Sequence, residues 1–233
     1  MPEKRRAGSR AAPGKALKLP VKIIIAVLAL LLLILTGFRV RHWIAMRGDT
    51  RVIVLVNPWN DVEKSGFSPR LKTVENIQVD SSCVKELEQL LADCRASGTS
   101  INLTAGYRSP EEQLALFDKE VDRQMQAGRS ADAAYTIAEQ RLGAPGSSEH
   151  QLGLAIDVQG VSAQNWMREN AWRYGFILRY PEGSESITGR SADSAHYRYV
   201  GLTASGQIHS LGITLEEYMS MFYTQEAEIV ISK

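Results

Sequence analysis

Cysteine is scarce, with two in 233 residues. That excludes a disulfide-stapled fold and any zinc framework built from several thiolates. Histidine is nearly as scarce, with four, so a metal site must also draw on carboxylates. No segment repeats, and no low-complexity tract lies outside a short basic leader. At 44% hydrophobic and 23% charged residues, the composition excludes a disordered, collagenous or coiled-coil chain. The net charge of +1 conceals two unlike parts. Residues 1–38 hold 7 of the 27 Lys and Arg and one acid, Glu3, so the remainder carries 20 basic and 25 acidic residues. A mildly acidic body excludes a nucleic-acid partner, which needs a basic surface.

One long apolar run is present. Ile23 to Phe38 reads IIIAVLALLLLILTGF, bounded by Lys22, Arg39 and Arg41. A spanning helix takes about 20 apolar residues. Val21, Val40, Trp43 and Ile44 extend the run toward that length, and the flanking cations can snorkel. It is apolar on every side, unlike an amphipathic core helix. No small-x-small cleavage site follows it. The expectation is therefore an uncleaved single-pass anchor over 21–44. The basic leader over 1–20 lies in the cytoplasm by the positive-inside rule. A linker and first strand cover 45–56, a domain of single-domain size covers 57–225 outside the cell membrane, and a tail covers 226–233.

Cys83 and Cys94 lie eleven positions apart in one helical pattern, about 16 Å along the axis at 1.5 Å per residue. A bridge needs Cα atoms within about 7 Å, so two unpaired thiols are expected, with Cys94 buried. Strands are expected at Arg51–Val56, Ile101–Thr104, Gly153–Val158, Phe176–Tyr180 and His196–Val200. Residues 57–79 read as loop. Helices are expected from Asp80 or Ser81 to Gly98, from Ser109 to about Gln126, and over Ala131–Leu142. Further helices run from Ser162 to near Gly175 and over 204–211 and 214–222. Ser109-Pro110-Glu111-Glu112 is the sharpest start signal, with proline at the first helical position and a capping box. Few short strands, several helices and no strict alternation make this an α+β chain, with a small, mostly antiparallel sheet flanked by helices.

The chemistry concentrates in Ser147-Ser-Glu-His-Gln-Leu-Gly-Leu-Ala-Ile-Asp157. His150 sits on the loop before a strand and Asp157 within it, so an imidazole and a carboxylate can converge. His196 follows in Ala-His-Tyr-Arg-Tyr-Val-Gly. Two imidazoles and one carboxylate suit zinc, leaving a fourth position for water. Zinc lowers the pKa of that water to about 7. A further carboxylate is then needed as base and acid, and Asp193 is the nearest in sequence. His209 reads as a helix-surface or packing residue, and Trp166 and Trp172 as packing. Tyr107, Tyr197 and Tyr199 are either groove-lining or half-buried. Arg198 points away from its tyrosine neighbours on a strand, toward the site or toward an acidic partner.

Ser148-x-His150-x-x-Gly153-x-Ala155-x-Asp157 resembles the zinc-ligand motif of VanY-type D-alanyl-D-alanine carboxypeptidases of the M15 metallopeptidases. The resemblance extends to Asn57-Pro-Trp-Asn60, Gly106-Tyr-Arg-Ser109 with Gln113, and Gly175-Phe-Ile-Leu-Arg-Tyr-Pro181. Ile187-Thr-Gly189 and His196-Tyr-Arg-Tyr-Val-Gly201 complete it, over about residues 51–222. It implies a Hedgehog/DD-peptidase-like fold, with Zn2+ held by His150, Asp157 and His196. It also implies that Arg108 faces the substrate carbonyl or carboxylate, with Ser148, Gln113, Tyr107 and Arg198 toward the substrate. The partner it implies is a peptidoglycan stem peptide ending in D-Ala-D-Ala. No obligate protein partner is expected.

The chain departs from the family at one place. Where the family reads Glu-Pro-Trp-His, this chain reads Asp193-Ser194-Ala195-His196. Asp193 keeps a carboxylate at the base position but is one methylene shorter. The expectation is a membrane-anchored zinc D,D-carboxypeptidase with Asp193 as base. The alternatives are a weak or inactive zinc- or peptidoglycan-binding domain, and a related dipeptidase or endopeptidase.

Overall fold

The structure, a computed structural model, describes residues 50–222 together with Ile24 and Leu28. The chain divides between Ile44 and Ala45, and the second unit carries everything below. The expected anchor, leader and tail lie outside the described residues, Ile24 and Leu28 apart. Among the described residues, no helix is long and apolar enough to cross a membrane.

Among the described residues, six strands form two antiparallel sheets. A hairpin pairs β1 (Leu71–Val74) with β2 (Ile77–Asp80), and a four-stranded sheet runs β3-β4-β6-β5. These are β3 (Asn102–Ala105), β4 (Ala155–Gln159), β5 (Phe176–Tyr180) and β6 (Asp193–Tyr199). Over the described residues 50–222, seven α-helices accompany them: α1 (Val84–Ala96), α2 (Pro110–Gln126), α3 (Ala131–Leu142), α4 (Val161–Asn170), α5 (Glu185–Thr188), α6 (Leu202–Leu211) and α7 (Leu215–Phe222). The α+β expectation holds, as do the strand at 176–180 and the helix at 131–142. The helix α2 starts as its signals predict: Ser109 accepts from the Glu112 amide, and Glu112 closes the reciprocal bond.

Three expectations fail. Arg51–Val56 is not a strand: Thr50–Val52 is a short 3-10 turn, and the residues after it run on without ladder pairing. Apolar β-branched residues bury equally well in an extended segment that has no neighbouring strand. The hairpin was hidden inside the stretch read as loop, because its four-residue strands are too short to show a period. Asp80 and Ser81 do not cap α1. Its N-cap is Cys83, without a side-chain bond, and Asp80 ends β2 instead.

Both cysteines are free and buried. Cys94 packs with Leu87, Leu90 and Leu91 into the continuous core between α1 and the sheet. Trp172 stacks on His209 at 4.6 Å, so that histidine is an exposed packing residue, away from the cluster described next.

Candidate metal centre and its cavity

The sheet register brings two of the expected ligands together. Asp157 on β4 lies directly opposite His196 on β6, and directly opposed side chains on one face approach within a few ångström. His150 comes from the 3-10 turn Glu149–Leu152 just before β4. Its position is set from a third direction. Nδ1 donates to the carbonyl of Gly106 at 2.6 Å, which leaves Nε2 toward Asp157 Oδ1 at 3.3 Å. Only glycine fits at 106, since a Cβ there would lie 2.3 Å from the Gln78 carbonyl oxygen.

His196 Nδ1 lies 3.0 Å from the same Asp157 oxygen, and the two imidazoles meet edge to face at 4.9 Å. One atom from each of His150, Asp157 and His196 falls within 4.8 Å of the others. Ligands held tetrahedrally at about 2.0–2.1 Å from zinc lie about 3.3 Å apart, so this donor set fits the ion in kind and in spacing. The second ring nitrogen of His196 supplies an independent sign. It is buried without a hydrogen-bond partner, and it points at Glu149 Oε2, which also has none, 3.5 Å away. A carboxylate behind a ligating imidazole fixes the tautomer and turns the other nitrogen toward the metal.

Glu149 is 1% exposed, yet it is not alone. Its Oε1 accepts from Arg179 Nε at 2.8 Å and from Arg198 Nη1 at 2.9 Å. Arg179 also forms a two-pronged pair with Glu216 at 2.8 and 2.6 Å. Asn57 joins this network, donating Nδ2 to Glu216, while its Oδ1 gathers the Trp59 and Asn60 amides. The Asn-Pro-Trp-Asn turn thus ties the start of the domain to α7.

These charges set the electrostatics. Burial opposes the Glu149 carboxylate, but the two guanidinium groups and His196 outweigh it and hold its pKa well below the ordinary range. Burial likewise opposes the Asp157 carboxylate, and His150 and His196 hold it far down. Burial pushes His150 toward its neutral form, the form that ligates. Burial also works against an imidazolium at His196, but Asp157 and Glu149 lift it to about 9. With His150 neutral and Asp157 ionised, the cluster offers imidazole nitrogens and a carboxylate to a cation.

The three residues open on a cavity of about 60 Å³, room for an ion and a few waters. Asp193, Arg108 and Ser148 line it too, with Tyr180 and Arg190. Asp193 enters where β6 bulges: Leu178 is opposite Tyr197, but Tyr180 is opposite Asp193, so extra residues crowd the β6 side. Its Oδ1 accepts from the Ala195 amide at 2.8 Å. Arg108 follows β3, donates to Gln113 at 3.0 Å and pairs with Asp157 Oδ2 at 3.1 Å.

Three expected substrate residues lie elsewhere. Gln113 is wholly buried. Its amide bonds the carbonyls of Leu142 and Gly143 while its oxygen holds Arg108, so it supports the arginine from behind. Tyr107 lines a neighbouring cleft that also contains Arg108, Asn76 and Glu112. Arg198 took the second course open to it. It is fully buried and bonded to Glu149 and to the carbonyls of Val52, Val54 and Tyr199, out of reach of a peptide. Glu182 and Glu185, the other carboxylates close before His196 that could serve as a base, are exposed and line no part of this cavity. Motif spacing does not single out Glu149, Arg179 or Arg190. A charged residue between two motif positions, and another inside an otherwise apolar strand, were the available signals.

Residues 76–202 match the family described as VanY: D-alanyl-D-alanine carboxypeptidase, whose members are zinc metallopeptidases. Among curated proteins, the chain is 35% identical over 176 residues to a D-alanyl-D-alanine carboxypeptidase of Enterococcus faecalis. The match covers 72% of this chain and 65% of that relative, and the chain spans 48–50% of two further relatives. Among solved structures, it is similar to a vancomycin resistance D,D-pentapeptidase VanY mutant in complex with Zn(II). That match has a TM-score of 0.69 at 35% identity and covers 72% of this chain and 99% of the other. VanYB in complex with D-alanine-D-alanine gives 0.70 at 35% identity, covering 73% and 98%.

Proposed function

The chain belongs to the VanY family of D-alanyl-D-alanine carboxypeptidases, and from that premise we propose that it is a zinc-dependent D,D-carboxypeptidase acting on peptidoglycan stem peptides. The observation that carries the reading is the convergence of His150, Asp157 and His196 on one cavity that also presents Asp193, Arg108 and Ser148. Zinc held by the three ligands would supply Lewis-acid chemistry, lowering the pKa of water to about 7 and polarising a carbonyl.

The chain's own residues do the rest. Asp193 accepts the proton of the attacking water and passes it to the amine of the departing D-alanine. Its hydrogen bond from the Ala195 amide engages one oxygen and leaves the other for that transfer. Arg108 stabilises the oxyanion, held in place by Gln113 and Asp157. Glu149 orients His196 from behind, and Arg179 and Arg198 keep Glu149 ionised. We place the basic leader in the cytoplasm and the run over 21–44 in the cell membrane, so that the domain faces the cell wall. Protease protection of the leader, but not of the domain, in sealed cells tests this.

The activity test is release of D-alanine from a pentapeptide ending in D-Ala-D-Ala, using the zinc-loaded full chain with a chelator control. Asp193→Ala is expected to lower kcat by about 10²–10⁴-fold, the usual worth of a general acid–base group. Release that survives the substitution would remove Asp193 from the mechanism. No release from folded, zinc-loaded protein would favour the binding-domain alternative.

A further inference from the structure

We propose that Arg190 recognises the free terminal carboxylate of the peptide and so sets the preference for cutting at a chain end. This inference rests on the reading of the cavity as a carboxypeptidase site.

Arg190 is 4% exposed and lines the metal cavity. Its Nη1 donates to the Glu139 carbonyl. Its Nη2 donates to the Ser147 carbonyl at 2.6 Å and to Ser147 Oγ at 2.9 Å. All three acceptors are neutral, and none of these bonds uses Nε–H. Among the described residues, Arg190 has no carboxylate partner. The other arginines around the site do: Arg108 has Asp157, and Arg179 and Arg198 have Glu149. A buried cation with no carboxylate in salt-bridge contact retains capacity for an anion, so an anionic ligand is expected.

Ser148 is a second, independent observation. It is also 4% exposed, lines the same cavity, and its hydroxyl engages no partner among the described residues. A guanidinium and a hydroxyl lining one cavity offer the two kinds of donor that a carboxylate's two oxygens accept. The position is built for the arginine: at Gly143 a Cβ would lie 2.7 Å from Arg190 Nη2, so the guanidinium rests against bare backbone. Arg108 is less suited to the task, because Asp157 already offsets its charge.

The test compares binding of N-acetyl-D-Ala-D-Ala as the free acid and as the C-terminal amide to the metal-free full chain, by calorimetry. The wild type is expected to prefer the acid by about 10- to 100-fold, the range for a hydrogen bond to a charged group. Arg190→Gln is expected to bring the acid-to-amide ratio close to one, and Arg190→Lys to keep most of it. An unchanged ratio in Arg190→Gln overturns the proposal. Equal loss in both variants also overturns it, since the loop clamp rather than the charge would then set the preference. A second readout needs no substitution: in nitrogen-15 NMR, the Arg190 Nε–H resonance moves on adding the acid and not the amide. No movement with the acid overturns the proposal. If zinc-loaded protein releases no D-alanine while the acid preference and its dependence on Arg190 stand, the proposed activity fails and this inference survives.

Discussion

Two buried carboxylates in this molecule look alike and are used differently. Asp80, at the end of β2, is fully buried, and both its oxygens are engaged: Arg51 bonds both, the Ser82 amide and hydroxyl reach one, and the Arg70 amide reaches the other. Glu149 is equally buried and faces two arginines, but both meet the same oxygen. The other oxygen accepts no hydrogen bond and lies 3.5 Å from a histidine nitrogen that makes none either, an ion-pair contact too long to satisfy both. Asp80 is a closed latch on the hairpin. Glu149 is a structural anchor on one side and an orienting group on the other. The unsatisfied atom, more than the buried charge itself, marks the functional site, because burying an unpaired polar atom costs stability unless a ligand or a poised neighbour uses it.

Substitutions at the two carboxylates separate these roles. Glu149→Gln leaves Arg179 and Arg198 buried with less counter-charge and should cost about 3–5 kcal/mol in denaturant unfolding. The same change should weaken zinc binding by about 10- to 100-fold in competition with a chromophoric chelator, because His196 loses its orienting carboxylate. Asp80→Asn should cost less, about 2 kcal/mol at pH 7, and should leave zinc affinity as it was. Its pH dependence has a definite sign. Burial raises the Asp80 pKa, but Arg51 and Ser82 outweigh that and bring it down to about 2. The stabilisation is therefore complete above the unfolded value near 3.9 and fades as pH falls through about 2. Stability curves of wild type and Asp80→Asn should converge over that window. If Asp80→Asn weakened zinc binding as much as Glu149→Gln does, the distinction between latch and orienting group would collapse. The smallest effect belongs to Ser109→Ala, which removes one half of the α2 capping box. It should cost about 1 kcal/mol in thermal or denaturant unfolding and leave zinc affinity unchanged.

Elements with local signals are legible in the amino-acid sequence alone. The capping box and proline at Ser109–Glu112 start α2 without help from the rest of the chain, and Phe176–Tyr180 reads as a strand from its own composition. The spacing from His150 to Asp157, with His196 further on, only permits a metal-binding set, since such a pair also arises by chance; the resemblance of the surrounding wording to the VanY-type motif is what singles the three residues out. Other features had to await the tertiary structure. Residues 51–56 have strand composition but find no neighbouring strand, and β propensity is realised only against a partner. Arg198 could not be assigned from alternation alone, since Glu149 and the Val52 and Val54 carbonyls that capture it come from distant parts of the chain. The orphaned contact between Glu149 and His196, and the lone charge of Arg190, are facts about what is missing around an atom. No pattern along a chain records that, because the neighbours that would satisfy a buried group are chosen only when the sheet closes and the turns pack over it.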